Sequence, residues 1–255
     1  MMRYVIALVL AISVFASASP ARADAFKPSK AKQVELGMQA AEQIRKQSHV
    51  LPDYDPRVKL VRRIGNKLLR TMDMHDLPWK FSFDVLDSKE VNAFALPGGP
   101  TFIYTGLLDK LETEDELAGV MGHEMTHVFK EHWAQQYAAT QKRELGIGLV
   151  LGILHANSAF QNLGDLVDVM EQTRYSRSEE SQADEGGFQK MTTAGYNPEG
   201  MADVFRMFER QKLGGDTPAF LADHPSDASR VSRIEQMIKD SNKQYPPQTP
   251  LRMAE

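Results

Sequence analysis

The sequence predicts an α+β fold, mostly helical, with a small antiparallel sheet beside one buried central helix. Three observations carry this. Apolar residues recur at helical spacing through most of the chain between residues 30 and 239. One stretch, residues 79–86, alternates apolar and polar instead, and a Pro-Gly-Gly-Pro reversal follows it before another short apolar run. Two capping boxes mark helix starts after that point. The chain has 255 residues, 42% hydrophobic and 25% charged, the balance of a globular domain with enough length for one real core.

Residues 1–23 read as a secretory leader rather than as part of the fold. Arg3 is the basic start, residues 5–15 are apolar apart from Ser13, and Ala21-Arg22-Ala23 offers a cleavage site. The apolar run is short for a membrane span, and an uncleaved anchor is the alternative. Residues 24–244 form the expected domain, and the tail from Tyr245-Pro246-Pro247 to residue 255 is expected to be disordered. Residues 30–47 form a helix on the spacing of Val34, Met38, Ala41 and Ile44. Asp55-Pro56 opens a second, to about residue 74, with Asp55 capping and Pro56 at the first helical position. In residues 79–86, Trp79, Phe81, Phe83 and Val85 share one side of a strand. The turn-rich stretch from Asn92 to Pro100 leads into a strand over residues 101–104.

Thr113-Glu114-Asp115-Glu116 is a capping box whose acids suit a helix N-terminus, so a helix starts near Glu114 and reaches at least Glu131. Ala118, Gly119 and Gly122 gather on one side of it. Glycine weakens a helix, so this face predicts another element packed close. Within residues 140–172, the Gly-rich apolar stretch 145–154 is too short to cross a bilayer. It reads as a lid over the site or as a surface touching lipid. Ser176 and Glu179 form the second capping box, for a helix to about residue 191. Asn197-Pro198 starts another, and a last helix covers about 225–239.

Inside the helix that starts near Glu114 lies His123-Glu124-Met125-Thr126-His127. Helical spacing puts His123 and His127 on one face, one turn apart, where both can hold one zinc ion. Glu124, about 100° further round, can lean over the open side as a general base. The chain has no cysteine, so any metal site must use histidine and carboxylate, and there is no disulfide framework. Catalytic zinc takes three protein ligands and keeps one place open. One class of such enzymes adds a histidine six residues on, after a glycine. Those positions hold Trp133 and Lys130 here, which excludes it. The other adds a glutamate from a later helix as E-x-x-x-D, and Glu180-Ser181-Gln182-Ala183-Asp184 supplies one. Glu180 would bind the metal, and Asp184 would accept the outer N–H of a ligand histidine.

Four motifs in order, Asn92-Ala93-Phe94-Ala95-Leu96-Pro97-Gly98-Gly99, the His123–His127 pentad, Ser176-Arg177 with Glu180 and Asp184, and His224-Pro225-Ser226 with Arg230, resemble the gluzincin metallopeptidases of the HtpX, BepA, LoiP and CAAX prenyl endopeptidase family. The resemblance implies a zincin-like fold, one Zn2+ per chain on His123, His127 and Glu180, and Glu124 as catalytic base. It places Asn92, Ala93, Phe94, Gly98 and Gly99 along an edge that aligns substrate as an added strand. It puts His224 and Arg230 near the metal, where either could stabilise the oxyanion or His224 could occupy the open place. The expected protein is a periplasmic zinc endopeptidase acting on unfolded or misassembled envelope proteins, with peripheral membrane contact left open. The alternative is a latent or non-catalytic, zinc-stabilised module that binds such proteins. Without its leader the chain loses Arg3 and Arg22 and no acid, so it is more acidic than the formal charge of −4 for the whole sequence, which argues against nucleic acid.

Overall fold

The computed structural model describes residues 26–151, 173–215, 217–225 and 228–252. The leader, its cleavage site and most of the 140–172 stretch lie outside the described residues. Helix α1 (Lys30–Gln47) is capped by Ser29, whose side chain accepts from the Lys32 amide, and α2 (Pro56–Leu69) by Asp55 in the same way from Arg57. Strands β1 (Ser82–Leu86), β2 (Ala93–Ala95) and β3 (Pro100–Tyr104) form one sheet in the order β1-β3-β2. Next come α3 (Thr105–Leu108), α4 (Glu114–Phe129), α5 (His132–Leu151), α6 (Arg177–Thr193), α7 (Glu199–Leu213), α8 (Phe220–Asp223) and α9 (Ala228–Asp240). Among the described residues no helix is long and apolar enough to cross a membrane.

The mostly helical α+β class stands, and one detail of the sheet changes. β2 pairs antiparallel with β3, Phe94 opposite Phe102, as expected of a hairpin. β1 lies on the other side of β3 and runs parallel to it, Phe83 opposite Thr101, so the sheet is mixed rather than antiparallel. The physical reason is the 87–92 connection, which carries the chain across to the far edge before the hairpin forms. At its tip, Gly98 (φ 85°) and Gly99 (φ 124°) occupy backbone conformations that disfavour a side chain. A Cβ on Gly98 would stand 2.6 Å from the Val34 Cα, so this turn is also the seat of α1.

The core centres on α4, buried from Glu114 to Val128. The small face behaves as its glycines predict. A Cβ on Gly119 would meet Met201 of α7 at 3.0 Å, and one on Gly122 would meet the Gly187 carbonyl of α6 at 3.1 Å. The helix start is secured by its capping box and by the C-terminal segment. That segment is docked rather than disordered as far as residue 252. Thr249 O accepts from the Glu114 amide at 2.8 Å, and the Thr249 amide donates to Asp115 Oδ2 at 2.6 Å. Prolines remove donors here, and the residues between them supply the pairing.

Candidate metal centre and active site

Four side chains from three places in the fold converge on one point. His123 and His127 come from α4, Glu180 from the first turn of α6, and His224 from the residue that ends α8. All four are buried, none more than 2% exposed. One potential ligand atom from each lies within 4.8 Å of all the others. His123 Nε2 is 3.1 Å from His127 Nε2, 3.2 Å from His224 Nδ1 and 3.6 Å from Glu180 Oε2. His127 Nε2 is 3.5 Å from Glu180 Oε1, and His224 Nδ1 is 3.0 Å from the same oxygen.

These spacings fit a metal ion. Two donors about 2.0–2.1 Å from one tetrahedral zinc stand roughly 3.3–3.4 Å apart. The donor chemistry agrees, because three imidazole nitrogens and a carboxylate offer lone pairs to a single buried point. Neutral imidazoles and an anion suit zinc or another borderline divalent ion.

Around the four lies a charged frame. Asp184, one turn beyond Glu180 on α6, stands 3.1 Å from His123 Nδ1. Arg230 of α9 donates to both Asp184 oxygens, from Nε at 2.9 Å and Nη2 at 2.5 Å, and its Nη1 is 2.6 Å from Glu180 Oε2. Burial alone would raise the Asp184 pKa, yet the hydrogen bond with His123 and the Arg230 charge hold it at about 2. Burial pushes Glu124 up despite the nearby His224 and His123. Its Oε2 accepts from the Ala95 amide at 3.0 Å, while Oε1 is buried with no hydrogen-bond partner and lies 3.3 Å from His224 Nε2.

A cleft of about 300 Å³ opens beside this group. Asn92, Phe94, Ala95, Leu96 and Pro97 form one wall, Glu124 and His224 the floor, and Trp133, Tyr175 and Asp223 the far side. β2 is an edge strand; Phe94 and Ala95 from it line the cleft, and the Ala93 and Ala95 amides are taken by Asn92 Oδ1 and Glu124 Oε2.

A family model described as Peptidase family M48 matches residues 57–238. The chain belongs to peptidase family M48. It is 29% identical over 197 residues to the mitochondrial metalloendopeptidase OMA1 of Schizosaccharomyces pombe, covering 75% of this chain and 56% of that protein. It is 28% identical over 213 residues to the metalloprotease LoiP of Escherichia coli, covering 82% of each. It is 25% identical over 189 residues to the beta-barrel assembly-enhancing protease of Yersinia pestis, covering 70% of this chain and 38% of that protein. The chain therefore spans only about half or less of the length of the first and the last of these.

In this M48 chain the expected site residues separate into three groups. His123, Glu124, His127, Glu180, Asp184 and His224 come together. Asn92 and Phe94 line the cleft, whereas Ala93 is wholly buried and Gly98 and Gly99 form the turn against α1. Arg230, a candidate for the oxyanion, is instead 1% exposed and committed to Asp184 and Glu180. Two further residues of the site fall outside the four sequence motifs. Tyr175 lays its ring 3.9 Å from that of His127. His132 is wholly buried, with Nδ1 2.9 Å from His127 Nδ1. Spacing hides His132, because it falls after the end of α4 and off the helical face the motif defines. A second histidine so soon after a motif histidine was the available signal.

Proposed function

We propose that this chain is a zinc-dependent endopeptidase that hydrolyses peptide bonds of misfolded or unassembled cell-envelope proteins in the periplasm. The observation that carries the reading is Glu124 Oε1, a buried carboxylate oxygen without a hydrogen bond, at the mouth of a His-His-Glu group and on the floor of an open cleft. His123, His127 and Glu180 would hold one zinc ion. Bound there, zinc supplies Lewis-acid chemistry, acidifying water and polarising the scissile carbonyl.

The chain's own residues do the rest. Glu124 is held by the Ala95 amide through Oε2, which leaves Oε1 to take the proton of the attacking water and return it to the leaving amine. Burial pushes its carboxyl above the ordinary carboxylate range, the direction that suits a group which first accepts and then returns a proton. The edge of β2 binds extended peptide through backbone hydrogen bonds, which read shape rather than sequence and so favour unfolded substrates. Asp184, fixed by Arg230, orients His123. The envelope assignment draws on the leader pattern of residues 1–23 and on the relative named for β-barrel assembly.

Digestion of casein and of an unfolded outer-membrane protein, with and without a chelator, tests this. The parent is expected to cut both only without chelator, and Glu124→Gln to retain zinc and cut neither. Full cleavage by Glu124→Gln would sink the mechanism, and binding of the unfolded protein without turnover would favour the non-catalytic reading.

A second reading has its own observation. His224 Nδ1 sits with the other three donors, where it would complete a four-ligand set and close the place that water needs. The chain would then be latent until His224 moves aside. His224→Ala decides between the roles. Higher peptidase activity marks a latch, and lower activity marks an oxyanion donor.

A further inference from the structure

His132 is placed against His127 by the turn that joins α4 to α5. Helix α4 ends at Phe129, Lys130 caps it, and Glu131 takes a left-handed backbone (φ 55°) that is unusual for a residue with a side chain. The carboxylate of Glu131 is held from α1, by Gln33 Nε2 at 2.7 Å, and by Lys27 Nζ at 3.3 Å. The reversal delivers the first residue of α5 back beneath α4. There the His132 ring is wholly buried, with Nδ1 2.9 Å from His127 Nδ1. The Tyr175 ring packs against His127 from another side, tilted by 33° with centroids 3.9 Å apart.

The chemistry of an imidazole gives this contact a direction. His127 turns Nε2 toward His123 and Glu180. A nitrogen that lends its lone pair to a metal leaves the single ring proton on the other nitrogen, which in His127 is Nδ1. A proton on Nδ1 needs an acceptor, and His132 Nδ1 stands where that acceptor must be. We propose that His132 is a positioning residue, accepting the Nδ1 proton of His127 and so holding that ring in the tautomer and orientation that aim Nε2 at the metal. The inference rests on His123, His127 and Glu180 being metal ligands.

The two ligand histidines are then backed differently. His123 leans on Asp184, an anion already paired with Arg230. His127 leans on an imidazole, and burial disfavours the charged form of both rings of that pair.

The test compares zinc affinity of the full chain, by competition with a chromogenic chelator, in the parent, His132→Leu and His132→Asn. Circular dichroism of each metal-free protein reports folding. Leucine offers no acceptor, whereas asparagine places Oδ1 two bonds beyond Cβ, as Nδ1 is in histidine. The leucine variant is expected to lose about 10–100-fold in zinc affinity, the range typical of removed outer partners, and the asparagine variant to regain most of it. Parent-like affinity with leucine, or asparagine as weak as leucine, overturns the proposal. If the leucine variant does not fold, asparagine decides alone: affinity near the parent's upholds the role, and a loss of about tenfold or more overturns it. A parent that binds no zinc overturns both the metal reading and this one.

Discussion

Lys190 carries a charge into a place that disfavours it. Its Nζ donates to Thr126 Oγ1 at 2.8 Å, inside the pentad, and lies 5.4 Å from the Phe129 ring. Burial, and secondarily the Lys130 charge, lower its pKa from 10.5 to about 8. The unfolded chain therefore binds more protons at this group than the native one between pH 8 and 10.5, so stability rises with pH across that window. Below pH 8 the native state bears the full penalty. Lys190→Met should be more stable than the parent at pH 7, with the difference shrinking toward pH 10.5; urea denaturation at pH 7, 9 and 10 measures it. A difference that does not change with pH would show that Lys190 is not the source. At this same scale the site was partly legible. His123, Glu124 and His127 share one helical turn, and Glu180 and Asp184 share another, so spacing alone groups them. Arg230 acts from another element, where spacing says nothing, and His132, though only five residues past His127, lies off the helical face the motif defines.

At the scale of elements, helices were readable and sheet order was not. Several long helices have an apolar period, and Ser29, Asp55, Thr113 and Ser176 each cap a helix start, the last of these marking α6, whose period is weak. Alternation in residues 79–86 says which face of a strand is buried, but neither its neighbour nor its direction, so the parallel β1–β3 pair was out of reach. The contact of α4 with α6 was half legible, through glycines on the first helix only. It is also the contact that sets the site, since α4 carries His123 and His127 while α6 carries Glu180 and Asp184. A Cβ on Gly187 would stand 2.9 Å from the His123 amide nitrogen and 3.1 Å from the Gly122 carbonyl carbon, both rigid backbone. Gly187→Ala must push the helices apart, at about 1–3 kcal/mol in stability. Zinc affinity should fall in the same variant, because the donors separate with their helices. Denaturation and zinc titration on one preparation test both, and unchanged zinc affinity alongside a real stability loss would show that the site does not depend on this contact.

At the scale of the molecule, the donor set joins parts that are far apart in the chain. His123 and His224 meet across 101 positions, and Glu180 and His224 across 44. Three elements thus share one point, and nothing but the fold brings them there. Unfolding must scatter them, so an ion bound to the native state and not to the unfolded chain stabilises the whole fold. The gain is about 4 kcal/mol when free metal is 1,000 times its dissociation constant. For a domain of this size that is roughly ten degrees in Tm, at about 2–4 °C per kcal/mol. A strong chelator should therefore lower Tm by roughly this amount, and returning zinc should restore it. Glu180→Gln, which weakens the anionic donor and loosens the Arg230 pair, should start lower and respond little to either treatment. The test separates a metal centre from a hydrogen-bonded polar cluster of the same geometry. A cluster of that kind would melt at one temperature with or without chelator, and that result would count against the metal whatever the peptidase assays gave.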